Sequence, residues 1–192
     1  MNLHSNKGAM QVAEYTYNNC VSSAWGPQSC CFHPNGLVEL HRDAKKYALE
    51  QFLADRVESE QDDFKEKLEA NLENRFRELK SINHFNNERA VEQAFGEYTR
   101  RMDKHSAPAL SSILLAPFII KLFGLMPRYH ESARNKALSM FNERRRGRSY
   151  DDDQYKTDLK EKISRAFDEY KHPIHAIIRE LGLQNILPVP PN

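Results

Sequence analysis

The stretch Leu37-Val38-Glu39-Leu40-His41-Arg42-Asp43-Ala44-Lys45-Lys46-Tyr47-Ala48-Leu49-Glu50-Gln51-Phe52 decides the fold. Leu37, Leu40, Ala44, Ala48 and Phe52 recur every three or four residues, which places them on one face of an α-helix. His33-Pro34-Asn35-Gly36, just upstream, reads as a turn and cap. Downstream, Phe64, Leu68, Leu72, Phe76 and Leu79 step by four, four, four and three with Lys, Glu and Arg between, a second helix with a single apolar stripe. Ala9, Ala13 and Tyr17 share one side of a segment from Asn6 to Tyr17, and Ala90, Ala94 and Tyr98 do the same further on. Helix is the reading throughout, and the expected fold class is all-α.

The same pattern occurs twice. His41, Ala44, Ala48, Leu49 and Phe52 match His130, Ala133, Ala137, Leu138 and Phe141 at one constant spacing. Phe64, Leu68, Leu72, Phe76 and Lys80 match Tyr155, Leu159, Ile163, Phe167 and Lys171 at a second constant spacing, and Asn6, Ala9, Ala13 and Tyr17 match Asn87, Ala90, Ala94 and Tyr98 at a third. Three blocks in one order, with length changes confined to connections, read as a duplicated three-helix unit. The expected architecture is elongated: unit 1 over residues 3–84, unit 2 over 85–181 with an apolar insert at 107–127, and a Pro-rich extended tail at 182–192.

Composition agrees with helices and supplies no chemistry. The 192 residues include 28 Lys+Arg and 27 Asp+Glu, a formal net charge of +1, which argues against a polyanion binder driven by bulk charge. With 29% charged residues against 40% hydrophobic ones, the chain suits helices with a charged outer face. Seven Gly and nine Pro leave little turn material for a many-stranded fold. The three cysteines, Cys20, Cys30 and Cys31, are odd in number and two are adjacent, so reduced thiols in a loop and a cytoplasmic setting are expected. The start, Met1-Asn2-Leu3-His4-Ser5, has no apolar core of the signal-peptide kind.

The segment Gly36 to Ala44, followed by Ala48, Leu49, Phe52, Leu68 and Leu72, resembles the helical middle region of guanylate-binding proteins, where a Leu-His-basic segment precedes Ala and Phe one and two turns on. Ala9-Met10-Gln11-Val12-Ala13-Glu14-Tyr15-Thr16-Tyr17-Asn18 is similar to the first helix of the atlastin three-helix bundle. Both groups are dynamin-like GTPases. The resemblance implies a lever that works beside a GTPase domain; in atlastins, nucleotide-driven dimerisation swings the bundle and draws endoplasmic-reticulum membranes together. A phosphate-cradling loop needs Gly-x-x-x-x-Gly-Lys-Ser/Thr. The glycines here precede Ala9, Pro27, Leu37, Glu97, Leu125, Arg148 and Leu183, so no nucleotide-binding residue carries over.

Among candidate sites, residues 110–126 form the most hydrophobic stretch. Ile113, Leu114, Leu115, Phe118, Ile119, Ile120, Leu122 and Phe123 are expected to form a buried or partner-binding apolar helix, with membrane contact as the alternative. The stretch is shorter than a spanning helix and carries Pro117 and Lys121. Cys20, Cys30, Cys31, His33 and His41 are zinc-ligand types without a Cys-x2-4-Cys knuckle, so no metal is expected. His172-Pro173-Ile174-His175 is set aside because Pro173 is expected to disrupt its helix. Arg144-Arg145-Arg146-Gly147-Arg148 followed by Asp151, Asp152 and Asp153 reads as a solvated connection, with the acids at the start of the next helix. Ser149 resembles a basic-directed kinase substrate.

His41 and His130 recur without a Ser or Cys constellation, so they are expected to be structural. No catalytic residue, cofactor or metal is expected. The packing positions are His41, Ala44, Ala48, Leu49, Phe52, Leu68, Leu72 and Phe76, with His130, Ala133, Ala137, Leu138, Phe141, Leu159, Ile163 and Phe167 in the second unit. The expected function is a non-catalytic interaction module docking to a GTPase domain or to its own copy, with no nucleic acid as partner. The alternatives are a piece of a GTP-hydrolysing protein that remodels the endoplasmic-reticulum membrane, peripheral to it, and an acidic-lipid-binding adaptor.

Overall fold

The computed structural model describes residues 5–26, 30–57, 63–110, 116–147 and 153–180, with the backbone alone at 106–110, 116–123, 173–174, 177–178 and 180. Five helices carry these residues: α1 (Asn6–Trp25), α2 (Pro34–Asp55), α3 (Phe64–Leu110), α4 (Ala116–Glu143) and α5 (Gln154–Glu180). The fold is all-α, a helical bundle with one short parallel pairing between β1 (Cys31–Phe32) and β2 (Arg145–Arg146).

Local chemistry sets the helix ends. Ser5 caps α1, its hydroxyl oxygen accepting from the Gly8 N–H at 3.2 Å. The helix stops at Gly26, whose φ of 68° is cheap only without a Cβ. Pro34 opens α2 at a position where the missing N–H costs nothing, and His33 Nδ1 accepts from the Asn35 N–H at 3.2 Å. Asp153 begins α5, its carboxylate accepting from the Lys156 N–H at 3.2 Å.

Contacts divide the chain into two compact units: Met1–Glu88 with Arg144–Asp152, and Arg89–Glu143 with Asp153–Asn192. Residues 144–152, which the sequence pattern assigns to the second unit, thus belong to the first. In the first unit α1, α2 and the N-terminal part of α3 share one core of Ala9, Ala13, Tyr17, Leu37, Ala44, Ala48, Phe52, Leu68, Leu72 and Phe76. The second unit buries Ala90, Ala94, Tyr98 and Met102 of α3, Ala133, Ala137 and Phe141 of α4, and Leu159 and Ile163 of α5. Small alanines let helix backbones approach, and the large rings fill the space between.

Three expectations need correction. Helix α5 runs through Pro173 to Glu180; proline removes one hydrogen bond of a 27-residue helix without ending it. Cys20 lies on α1, and Cys30 and Cys31 are buried, so these thiols are not in an open loop. Arg145 and Arg146 pair with the open backbone edge of Cys31–Phe32 as β2 rather than forming an unpaired connection, with Arg145 half-buried and Arg146 exposed to solvent as expected. Gly147 follows with φ 84°, and a Cβ there would meet the Phe32 ring at 3.4 Å.

Among the described residues, no helix is long and apolar enough to cross a membrane. Ile113, Leu114 and Leu115, like the tail at 182–192, Arg148, Ser149, Asp151 and Asp152, lie outside the described residues. Phe118, Ile119, Ile120, Leu122 and Phe123 fall in α4, where only their backbone is described.

Candidate functional site

In the first unit, one side chain from each of three helices meets at His41. The Tyr17 hydroxyl on α1 stands 2.8 Å from His41 Nδ1 on α2, the rings edge-on at 78°. The other face of the imidazole lies flat on Phe76 of α3, centroids 3.9 Å apart and planes within 5°. Lys80, one turn beyond, places its ammonium 4.5 Å from the Phe76 centroid. His41 Nε2 faces Glu73 Oε1 at 3.3 Å, and Lys45 Nζ reaches the same oxygen at 2.7 Å.

This network fixes the tautomer. A carboxylate only accepts, so Nε2 carries the proton and the Nδ1 lone pair accepts from the Tyr17 O–H. Burial lowers the His41 pKa, against the raising effect of Glu73. Burial also pushes the Tyr17 hydroxyl up to about 12, so it stays protonated. The Lys45 ammonium chiefly holds Glu73 below the usual carboxylate range.

The second unit contains the same arrangement. Tyr98 of α3 stands 3.0 Å from His130 Nδ1 of α4, with rings at 86°. His130 stacks on Phe167 of α5 with centroids 3.8 Å apart, and Lys171 sits 4.8 Å from the Phe167 centroid. Burial lowers the His130 pKa first, with Arg134 and Lys171 adding to it, and burial raises that of Tyr98. One feature differs. At the spacing that carries Phe76 to Phe167, Glu73 falls on Ser164; at the spacing that carries His41 to His130, Lys45 falls on Arg134. Among the described residues, His130 Nε2 has no hydrogen-bond partner.

Neither centre has the makings of nucleophilic catalysis. Each imidazole is bonded to a tyrosine whose raised pKa keeps it neutral, and each ring is covered by a phenyl face. Among the described residues, no group of three or more His, Cys, Asp or Glu converges as a metal site. Of the other expected packing positions, Ala44, Ala48, Phe52, Leu68, Leu72, Ala133, Ala137, Phe141, Leu159 and Ile163 are buried. Leu49, Leu138 and Phe167 are half-buried.

A second polar cluster escaped the sequence reading. Asn83 of α3 grips the Phe32 backbone from both sides: its amide oxygen accepts from the Phe32 N–H at 2.7 Å, and its amide nitrogen donates to the Phe32 carbonyl at 3.0 Å. Asn87 donates to the same carbonyl at 3.0 Å, and Asn86 donates to that of Cys30 at 3.0 Å. Asn6 makes the same two-sided grip on Val57, at 3.2 and 2.6 Å. The available signal was three asparagines within five residues of a helix, where asparagine is a poor helix former.

The same stack therefore keys three helices together in each unit. No family model, no curated protein and no solved structure matches the chain.

Proposed function

We propose that this protein is a non-catalytic interaction module, a tandem pair of three-helix units that acts as a lever by docking to the GTPase domain of a dynamin-like protein or to its own copy. The observation that carries this reading is the double occurrence of the Tyr–His–Phe–Lys stack, Tyr17–His41–Phe76–Lys80 and Tyr98–His130–Phe167–Lys171, in matched geometry. Duplication of one ancestral unit accounts for both copies with one event. In each copy the residues best suited to chemistry are spent on joining helices, which favours a mechanical role. The likeness of residues 36–72 to the guanylate-binding-protein middle region supplies the GTPase as partner. On α3, Ile82 and Phe85 lie one turn apart and are 46% and 62% exposed, apolar area suited to such a contact.

Titration with a fluorescent GTP analogue tests the non-catalytic part. The reading predicts no saturable binding to the chain alone; saturable binding at micromolar concentration contradicts it.

A further inference from the structure

The two histidine centres differ in charge, and a cavity lies beside the second. In the first unit the acid Glu73 answers both His41 Nε2 and Lys45, and Glu66 and Glu69 lie on the same helix one to two turns earlier. At the spacing that carries Phe76 to Phe167, these three acids become Thr157, Lys160 and Ser164 on α5. The cation on the facing helix is retained, with Arg134 in the place of Lys45. The groove between α4 and α5 has lost these three carboxylates and gained the Lys160 ammonium, with a guanidinium, Arg134, in place of the Lys45 ammonium and one new acid, Glu161, in place of Ala70.

A cavity of about 340 Å³ occupies this place, lined by His130, Arg134, Thr157, Lys160 and Ser164. Glu161 is the one acid on its wall, and it pairs with Arg165 one turn along α5 at 3.3 Å. A volume of this size lies at the small end of the range of small-molecule sites. Glu161 apart, the polar side chains at hand can donate: a guanidinium fork, an ammonium, two hydroxyls and an imidazole nitrogen that has no partner among the described residues. We propose that this groove on the second unit binds a carboxylate supplied from outside the chain, seated where Glu73 sits in the first unit. Arg134 and Lys160 hold its charge, and His130 Nε2–H donates to it. The site is independent of any GTPase partner.

The carboxylate can belong to a small free acid or to an acidic side chain of a polypeptide, and two probes separate these. Purified protein is titrated with glutarate and, separately, with N-acetylglutamate amide, while the ring 15N signals of His41 and His130 are recorded. The expected result is a saturable shift of His130 with at least one probe and none of His41, which serves as the internal reference. Bound carboxylate also raises the His130 titration midpoint, which burial lowers first and Arg134 and Glu131 of its own helix and Lys171 and Asp168 of α5 then modify, with Tyr98 of α3 on Nδ1 and Lys160 and Glu161 on the same cavity wall. Binding of the capped residue assigns the source to a polypeptide, and binding of glutarate alone assigns it to a free acid. Ser164 is exposed, so Ser164→Glu retains the fold by circular dichroism, abolishes the titration and gives His130 the signals of the bound state. Arg134→Ala weakens binding about tenfold, the loss of one charge-assisted hydrogen bond. The proposal is overturned if neither probe shifts His130, or if the shift survives unchanged in Ser164→Glu or Arg134→Ala.

Discussion

The Tyr17 hydroxyl donates to His41 Nδ1 across 2.8 Å of helix interface, and this bond ties α1 to α2 at the centre of the first unit. Replacing Tyr17 by Phe keeps the ring and its packing but strands the imidazole lone pair in a buried place. An unmet buried acceptor costs about 1–3 kcal/mol, so Tyr17→Phe lowers stability by that amount, as does Tyr98→Phe for His130. Urea unfolding of the two variants and the parent checks this; a change within error at both positions would sink the assigned hydrogen bonds.

The histidines also set a pH dependence. Both have folded pKa values below the ordinary 6.5, so the unfolded chain binds more protons in the interval between the two. Their contribution is complete above 6.5 and is lost as pH falls from there through the lowered folded values. Melting temperature measured from about pH 7.5 down to 5 declines in that window. The decline flattens in His41→Phe and again in the double variant with His130→Phe. The Glu73 contribution disappears only lower, beneath the ordinary carboxylate value of 4.5.

Glu73 separates an electrostatic role from a stabilising one. Its side chain is 46% exposed, and ion pairs so open to water contribute about 0–1 kcal/mol. Glu73→Gln therefore barely moves the unfolding midpoint. It does remove the carboxylate that favours imidazolium, so the His41 midpoint falls further below 6.5 in a 15N titration while that of His130 stays put. An unmoved His41 would show that the 3.3 Å contact carries no charge coupling.

Asn83 secures the strand pairing in the first unit. Asn83→Ala strands the Phe32 N–H, while the Phe32 carbonyl keeps its bond from Asn87. The expected loss is about 1–3 kcal/mol, concentrated in faster amide exchange at Cys31 and Phe32. Exchange that speeds up uniformly over the unit instead would deny Asn83 a local role.

The helices and their buried faces were legible because they depend on local periodicity. Ala44, Ala48 and Phe52 fall on one side of any helix drawn through them, whatever surrounds it. The recurrence of His41 and His130 with their flanking alanines marked both centres. The partners of those histidines were not legible: Glu73 looks like any other acid on a charged face until α2 and α3 are packed together. Asn83, Asn86 and Asn87 escaped for a related reason, since their partners are backbone groups that sequence does not name. The two-residue strands left no periodic trace at all, and the pairing of Arg145–Arg146 went unseen because composition reports charge and not backbone partners.

The proposed docking role requires that the two units bind a GTPase domain or a second copy of the chain. Sedimentation velocity on the chain alone, and on the chain mixed with a guanylate-binding-protein or atlastin GTPase domain, tests it most directly. A docking module gives a faster boundary in at least one of the two experiments, slowed again by Ile82→Glu with Phe85→Glu. A single monomer boundary in both, at the highest concentration the protein tolerates, would contradict it.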